Sequence, residues 1–421
     1  MKILFSSYSL SPSNINFKSN SSALKLSTGS NFVVSNSITT TKGKIIKDSG
    51  SNVSGGNISF DDGVLEESGN KINISGALDL GSENKIRLNG NGLFRGKKGT
   101  LLQAIYISGL NNRLEGEILV SDDITLQDVN TSVTAGLLGK LACNICLNNG
   151  SLYLTEDLNF IDQKKVVGPG KIILNKRKIC FGAQDFRCTD SLYFENASDV
   201  ELNSNMHMNS RWTFSGGENI FNGNGNIVYL ETGGQIIIER GSSILLKNVT
   251  MHKLSGEFCC LDNLGTVSFQ DVKVILDHDC TFSKGRFNVL NKLSFAGAYK
   301  WIYQSEKQSK ILSKAKIVLD QGITFSYDPL VARKDLIYME DSTSILHLIN
   351  STIHSTSTGI QLTKGTLEIE GNCYLSSEAS YQAEGIAFGD GLIESNNLSI
   401  DVLRESSLKL LSGYLVYDNV N

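Results

Sequence analysis

Asp277-His278-Asp279 is the densest run of acid–base side chains in the sequence, with Asp271 before it and Cys280 directly after it. Two carboxylates flanking an imidazole can hold a metal ion or share a proton. In extended chain, adjacent side chains point to opposite sides, so Asp277 and Asp279 face one way and His278 the other. The plainer reading is an exposed turn between Val274-Ile275-Leu276 and Thr281-Phe282. Asp61-Asp62 and Asp122-Asp123 are the other carboxylate pairs. Glycoside hydrolysis uses a pair of carboxylates, but both pairs flank strand-like runs, where Asp is a favoured turn residue. His207, His252, His347 and His354 are scattered, the last two on either side of Asn350. Each reads as a structural or solvated histidine.

Cys143-Asn144-Ile145-Cys146 is a lone C-x-x-C, with no second pair at the spacing of a zinc site. The other cysteines, such as Cys259 and Cys260, sit in apolar runs and read as small buried hydrophobes. Lys307, Lys310, Lys314 and Lys316 form the densest basic run. A solvated face is the ordinary account of it, and contact with an acidic glycan the more specific one. Trp301 and Tyr303 alternate on one side of the chain with Tyr299 just before them. They are either a sugar-stacking strip or core. No catalytic, cofactor-binding or metal residue is assigned, and no cofactor is expected.

The elements that must position these residues are short. The chain has 421 residues and 40 glycines but only 3 prolines, and Asn, Ser and Thr fill the spaces between apolar runs. Its net charge of −4 gives no electrostatic reason to propose nucleic acid. No apolar run approaches the roughly 20 residues of a membrane helix. The first ten residues are a poor match to a secretory signal, since serines break the apolar stretch.

One phrase recurs: Gly, any residue, apolar, any residue, apolar. It appears at Gly56, Gly76, Gly116, Gly150, Gly170, Gly225, Gly234, Gly265, Gly285, Gly365 and Gly413. Several copies lie twenty residues or a multiple of twenty apart. A second phrase, an apolar residue, a spacer, Asn or Asp, then Val, appears at Leu126, Leu246 and Phe269, with a looser copy at Leu348. Such periods point to a solenoid or array rather than to several globular domains. Each unit holds two or three short strands and no helix-length pattern. The one helical candidate, Ser305 to Lys316, has a thin apolar stripe, and its second half reads as a strand. The expected fold is all-β: a parallel β-helix with coils of about 20–25 residues. Residues 51–421 form the β-helix, and residues 1–50 form a Ser/Asn/Thr-rich arm or imperfect first coils. A single coil cannot bury its inward face, so stacking makes the core. Asn248 and Asp271 fall at equivalent corners, where positive φ is needed, and are expected to hold one coil on the next. At Gly413-Tyr414-Leu415-Val416-Tyr417 the repeat phrase still runs, and an open sheet edge there would need a cover.

Through these phrases, and through G-x-G before a strand at Gly90, Gly168 and Gly223, the chain resembles single-stranded right-handed parallel β-helix proteins of the pectin-lyase-like kind. It is also similar to the β-helical passenger regions of bacterial surface and secreted proteins. The resemblance covers roughly Gly55 onward and implies a fold. It transfers no catalytic residue, because neither a Gly-His-Gly nor an Arg-Ile-Lys of the polygalacturonase type is present.

The expected function is that of a non-enzymatic, elongated surface or secreted protein, structural or adhesive. Its expected partner is a glycan or a host or cell-surface protein, with assembly through the coil ends and an extracellular or cell-surface location. The alternative is a carbohydrate-active lyase or hydrolase. Convergence of three or more of the acidic, basic or imidazole side chains in one groove would favour that alternative.

Overall fold

The computed structural model describes residues 104–116, 123–182, 184–254, 260–382, 384–389 and 398–417 with their side chains, together with Leu88 and Phe94. The proposed arm at residues 1–50 lies outside the described residues. The chain divides into two compact units. The N-terminal unit comprises Met1–Gln184 and Thr189–Asn203; the C-terminal unit comprises Asp185–Cys188 and Ser204–Asn421.

Each unit is a stack of parallel coils, and the fold is a nearly all-β solenoid. Among the described residues the one helical element is a single 3-10 turn, Gln382–Glu384. In the N-terminal unit three columns of apolar side chains run through the stack. Ile105, Ile124, Ile145 and Val166 form one. Val133, Leu152, Ile172 and Phe194 form the second, and Leu158, Ile179 and Val200 the third. All are buried, because strand alternation turns every second residue inward.

The C-terminal unit repeats the plan. Its first column is Phe221, Leu246, Phe269, Val289, Ile311 and Met339. Its second runs from Met206 through Val228, Met251, Val274, Phe295, Leu319 and Leu348 to Ile369. Its third is Cys280, Trp301, Phe325, Ile353 and Leu375. Register steps from coil to coil are mostly 19 to 25 residues, close to the expected period, and lengthen to 28 from Ile311 to Met339 and to 35 from Leu375 to Leu410. Val402 and Leu410 continue the second and third columns and are exposed.

The repeated phrases are the register marks of this stack. Gly150 lies opposite Gly170, since Ser151 pairs with Lys171. Gly265 lies opposite Gly285, since Thr266 pairs with Arg286. Leu246 and Val249 pair with Phe269 and Val272, so Asn248 and Asp271 occupy the same corner. Both have left-handed backbone, φ 48° and 57°, a conformation that Asn and Asp tolerate better than most side chains.

Two copies of the second phrase behave differently. At Leu126 the Asp is an Asx turn: Asp128 Oδ1 accepts from Asn130 N at 2.9 Å and from Thr131 Oγ1 at 3.0 Å. Val129 there is exposed, whereas Val249 and Val272 are buried. At Leu348 the phrase marks a different corner, because Leu348 belongs to the second column and Leu246 to the first. Asn350 is nevertheless left-handed, φ 46°. The stretch from Ser305 to Lys316 is not helical. It supplies the strand Ser309–Ile311 and leads into the strand Lys316–Asp320.

Candidate binding groove

A surface groove of about 620 Å³ crosses the corner between the first two columns of the C-terminal unit. Left-handed Asn224, Asn248 and Asp271 form its corner edge. There the chain turns sharply, and the following strand begins with outward-facing Thr250, Lys273 and Ser294 in one row. Lys292 completes the polar lining, opposite Asp271 in the register. Asn291 Nδ2 donates to Asp271 Oδ1 at 2.7 Å, and Gly225 N donates to the Asn248 carbonyl at 2.6 Å. The corner residues therefore tie coil to coil, as the repeated phrase implies, while their remaining polar edges face the groove.

The same outward face carries a stack of rings. Arg187, His207, Tyr229 and His252 occupy one row of successive coils. His207 and Tyr229 are parallel, with ring centres 4.5 Å apart, and His252 follows at 5.4 Å from Tyr229. Glu231 fixes the start of the row, with its carboxylate 3.0 Å from His207 Nδ1 and 3.0 Å from Arg187. The His207 hydrogen bond first, and then the Arg187 charge, hold the Glu231 carboxyl below the usual carboxylate range. Thr250 and His252 are alternate outward residues of one strand, roughly 7 Å apart along it, so the stack borders the groove.

His207 and His252, scattered in the sequence, are brought into one row with Tyr229 by the stacking of the coils. The available signal was spacing: all three recur at the coil period. Aligning the coils on their glycines would have placed them in one column.

The other candidates do not converge in the groove. His278 is exposed, with Nδ1 3.0 Å from Asp277 Oδ1, and Asp279 Oδ1 accepts from Lys300 N at 2.8 Å. That run is an exposed stretch tied to the next coil. Trp301 and Tyr303 point inward and are core, with Trp301 stacked on Phe295 at 4.0 Å and Tyr303 on Tyr327 at 6.0 Å. Burial pushes the Tyr303 hydroxyl up to about 12. Only Tyr299 of that trio is exposed, facing His278 at 6.1 Å.

The lysine run disperses. Lys310 lies over Tyr338, Lys314 sits at a left-handed corner, and Lys316 is ion-paired to Glu368. Asp123 Oδ1 accepts from Asn144 N at 3.0 Å, a coil-to-coil tie; Asp61, Asp62 and the Asp122 side chain lie outside the described residues. The described cysteines are thiols rather than disulfides. Burial first, and then the Asp123 charge, raise the Cys146 thiol to about 11, which keeps that sulfur protonated near neutral pH. Among the described residues no group of three or more His, Cys, Asp and Glu side chains has the arrangement of a metal site.

One further cluster contains acid–base groups. His347 is buried on the outward side of its strand. Its Nδ1 is 3.6 Å from Glu368, and its Nε2 is 3.0 Å from Glu370 but off the direction a hydrogen bond needs. Lys316 Nζ is 2.7 Å from the same Glu368 carboxylate. Burial first, and then the Lys316 charge, push the imidazole below 6.5 against the pull of the two glutamates.

Just below the ordinary histidine value of about 6.5 the unfolded chain binds the proton and the folded chain does not, so stability falls as pH drops through that value. The loss levels off once the folded imidazole is itself protonated. Denaturation midpoints measured between pH 7.5 and 5.5 are expected to decline less in His347→Gln than in the parent. Equal slopes in the two proteins would exclude His347 as the source.

The stacked strands define the class as a parallel β-solenoid. No family model matches the chain, and no curated protein or solved structure matches it either.

Proposed function

We propose that the chain is a non-enzymatic β-solenoid binding protein, secreted or displayed at a cell surface in a structural or adhesive role, and that its ligand is a glycan. The observation that carries this reading is the shared face of groove and ring stack. Amide, hydroxyl, carboxylate and ammonium groups line the groove, and the edge of a three-ring stack borders it. Sugars present hydroxyls around an apolar ring face, so a polar row beside aromatic groups suits them.

The strands beneath are rigidly paired, so little ordering is needed on binding. One coil rise, roughly 4.8 Å, is close to the length of one pyranose unit, which lets a linear chain meet an equivalent side chain at each coil. The enzymatic alternative draws less support. Asp271 is engaged by Asn291, and in the neighbouring His347 cluster the imidazole is buried and Lys316 is ion-paired to Glu368.

A glycan array followed by calorimetry tests the reading. Binding of at least one oligosaccharide class is expected, with a loss of about threefold or more in Tyr229→Ala, whose ring edge rather than ring face borders the groove. Turnover of a bound polysaccharide would overturn the non-enzymatic part. Absence of any glycan binding would overturn the ligand class.

A further inference from the structure

We infer that the groove selects acidic glycans, recognising a carboxylate or sulfate through Lys273 and Lys292; this rests on the glycan-binding reading and specifies its ligand. Both ammonium groups belong to the groove lining. They come from successive coils, Lys292 opposite Asp271 and Lys273 two residues beyond Asp271 on the same strand.

What distinguishes these two lysines is their place: both ammonium groups line one groove from adjacent coils. Some outward basic side chains are ion-paired, as Lys316 with Glu368 and Lys178 with Glu201, and others, such as Lys247 and Lys300, have no ion pair among the described residues. Lys273 and Lys292 have no ion pair or side-chain hydrogen bond among the described residues. The carboxylate beside them, Asp271, has an oxygen taken by the Asn291 amide at 2.7 Å, which holds it at the corner.

The groove therefore presents two uncommitted positive charges against one held negative charge. Its floor and far edge are neutral: Asn224, Asn248, Thr250 and Ser294. An anionic group on the ligand gains charge-assisted hydrogen bonds from ammonium donors that have no partner to give up. Hydroxyls of the same sugar meet the neutral side chains, and its apolar face meets the ring edges of Tyr229 and His252. Because both lysines are exposed, the attraction is screened by salt.

The test is calorimetric titration with three oligosaccharides of matched length: a uronate oligomer, a sulfated oligomer and a neutral one. Acidic ligands are expected to bind at least tenfold more tightly than the neutral ligand at low salt, with the advantage shrinking as salt is raised. Lys273→Ala/Lys292→Ala is expected to lose about tenfold or more toward acidic ligands, and at least fivefold more toward them than toward the neutral ligand. Asp271→Asn keeps a residue that accepts left-handed backbone and removes the negative charge, so it is expected to tighten acidic binding.

Equal affinity for neutral and acidic ligands, or an unchanged double variant, would overturn this inference while leaving glycan binding intact. If no oligosaccharide bound at all, the parent reading would fall and this one with it. Both substitutions are at exposed positions, and an unchanged denaturation midpoint confirms that the variant is folded.

Discussion

Replacing Phe287 by alanine is expected to destabilise the C-terminal unit by about 3–5 kcal/mol, the range for removing a large aromatic from a packed core. Phe287 is fully buried and sits at the centre of a ring cluster. Phe269, Phe282, Trp301 and Tyr303 surround it, with ring centres 6.2, 5.6, 5.5 and 5.8 Å away. Three of these contacts are edge-to-face, a geometry worth roughly 0.5–1.5 kcal/mol per pair beyond buried area. The cavity that these rings help to line has room for about 10 Å³, scarcely one water, so the neighbours have little slack with which to fill the gap.

Guanidinium denaturation followed by tryptophan fluorescence measures the effect. Both tryptophans, Trp212 and Trp301, lie in the C-terminal unit and are buried. Phe287→Leu is expected to lose less than alanine, and keeps the comparison available if the alanine variant does not fold. A loss below about 1 kcal/mol in the alanine variant would mean that the cluster does not hold the coils together.

Gly285→Ala is expected to lose about 3 kcal/mol, and Gly241→Ala only about 1–2 kcal/mol. Both glycines have left-handed backbone, φ 76° and 68°, which costs an alanine roughly 1–2 kcal/mol. They differ in what a methyl group would meet. At Gly241 there is nothing within 4 Å, whereas at Gly285 the new carbon would lie 2.6 Å from Cys260 Sγ and 2.7 Å from the Gly265 carbonyl. The obstacles are a buried side chain and the backbone of the coil below, neither of which can swing aside cheaply. The difference between the two variants in the same denaturation assay isolates the overlap. Equal losses would show that the glycine column is required for its backbone angle alone.

These two positions also show what could be read from the residues in advance. Gly285 was visible as one copy of a phrase twenty residues after another, and the structure stacks the two copies. The phrase marks a physical event that must recur in every coil, a sharp entry into a strand beneath a neighbouring backbone, so it leaves a repeating trace. Asn248 and Asp271 were legible for the same reason. The copy at Leu126 misled, because an Asx turn uses the same residue types to a different end.

The groove left a weaker trace. Its lining residues are ordinary turn and surface types, each from a different coil, and their conjunction exists only after stacking. Trp301 and Tyr303 illustrate the converse. Alternation placed them on one side of the chain but could not say which side faces inward. The ring cluster around Phe287 and the packing on Phe295 and Tyr327 decide that they face the core.

The direction of the backbone hydrogen bonds has a mechanical consequence. They pass from one coil to the next, as from Lys316 N to Asn291 O at 2.7 Å, Thr324 N to Tyr299 O at 3.0 Å and Gln304 N to Phe282 O at 2.9 Å. A pull on the chain end of the C-terminal unit would fall on the rungs of the outermost coil one after another and peel it, while in every inner coil the same force is shared by all the rungs at once. Register steps near that end run from 21 residues, Leu348 to Ile369, to 35, Leu375 to Leu410, so a coil would then release roughly 70 to 125 Å of chain, at the 3.3–3.6 Å per residue of an extended backbone. Such a stack would yield in discrete instalments set by the length of each coil, dissipating work at each step while the coils still in place kept their form.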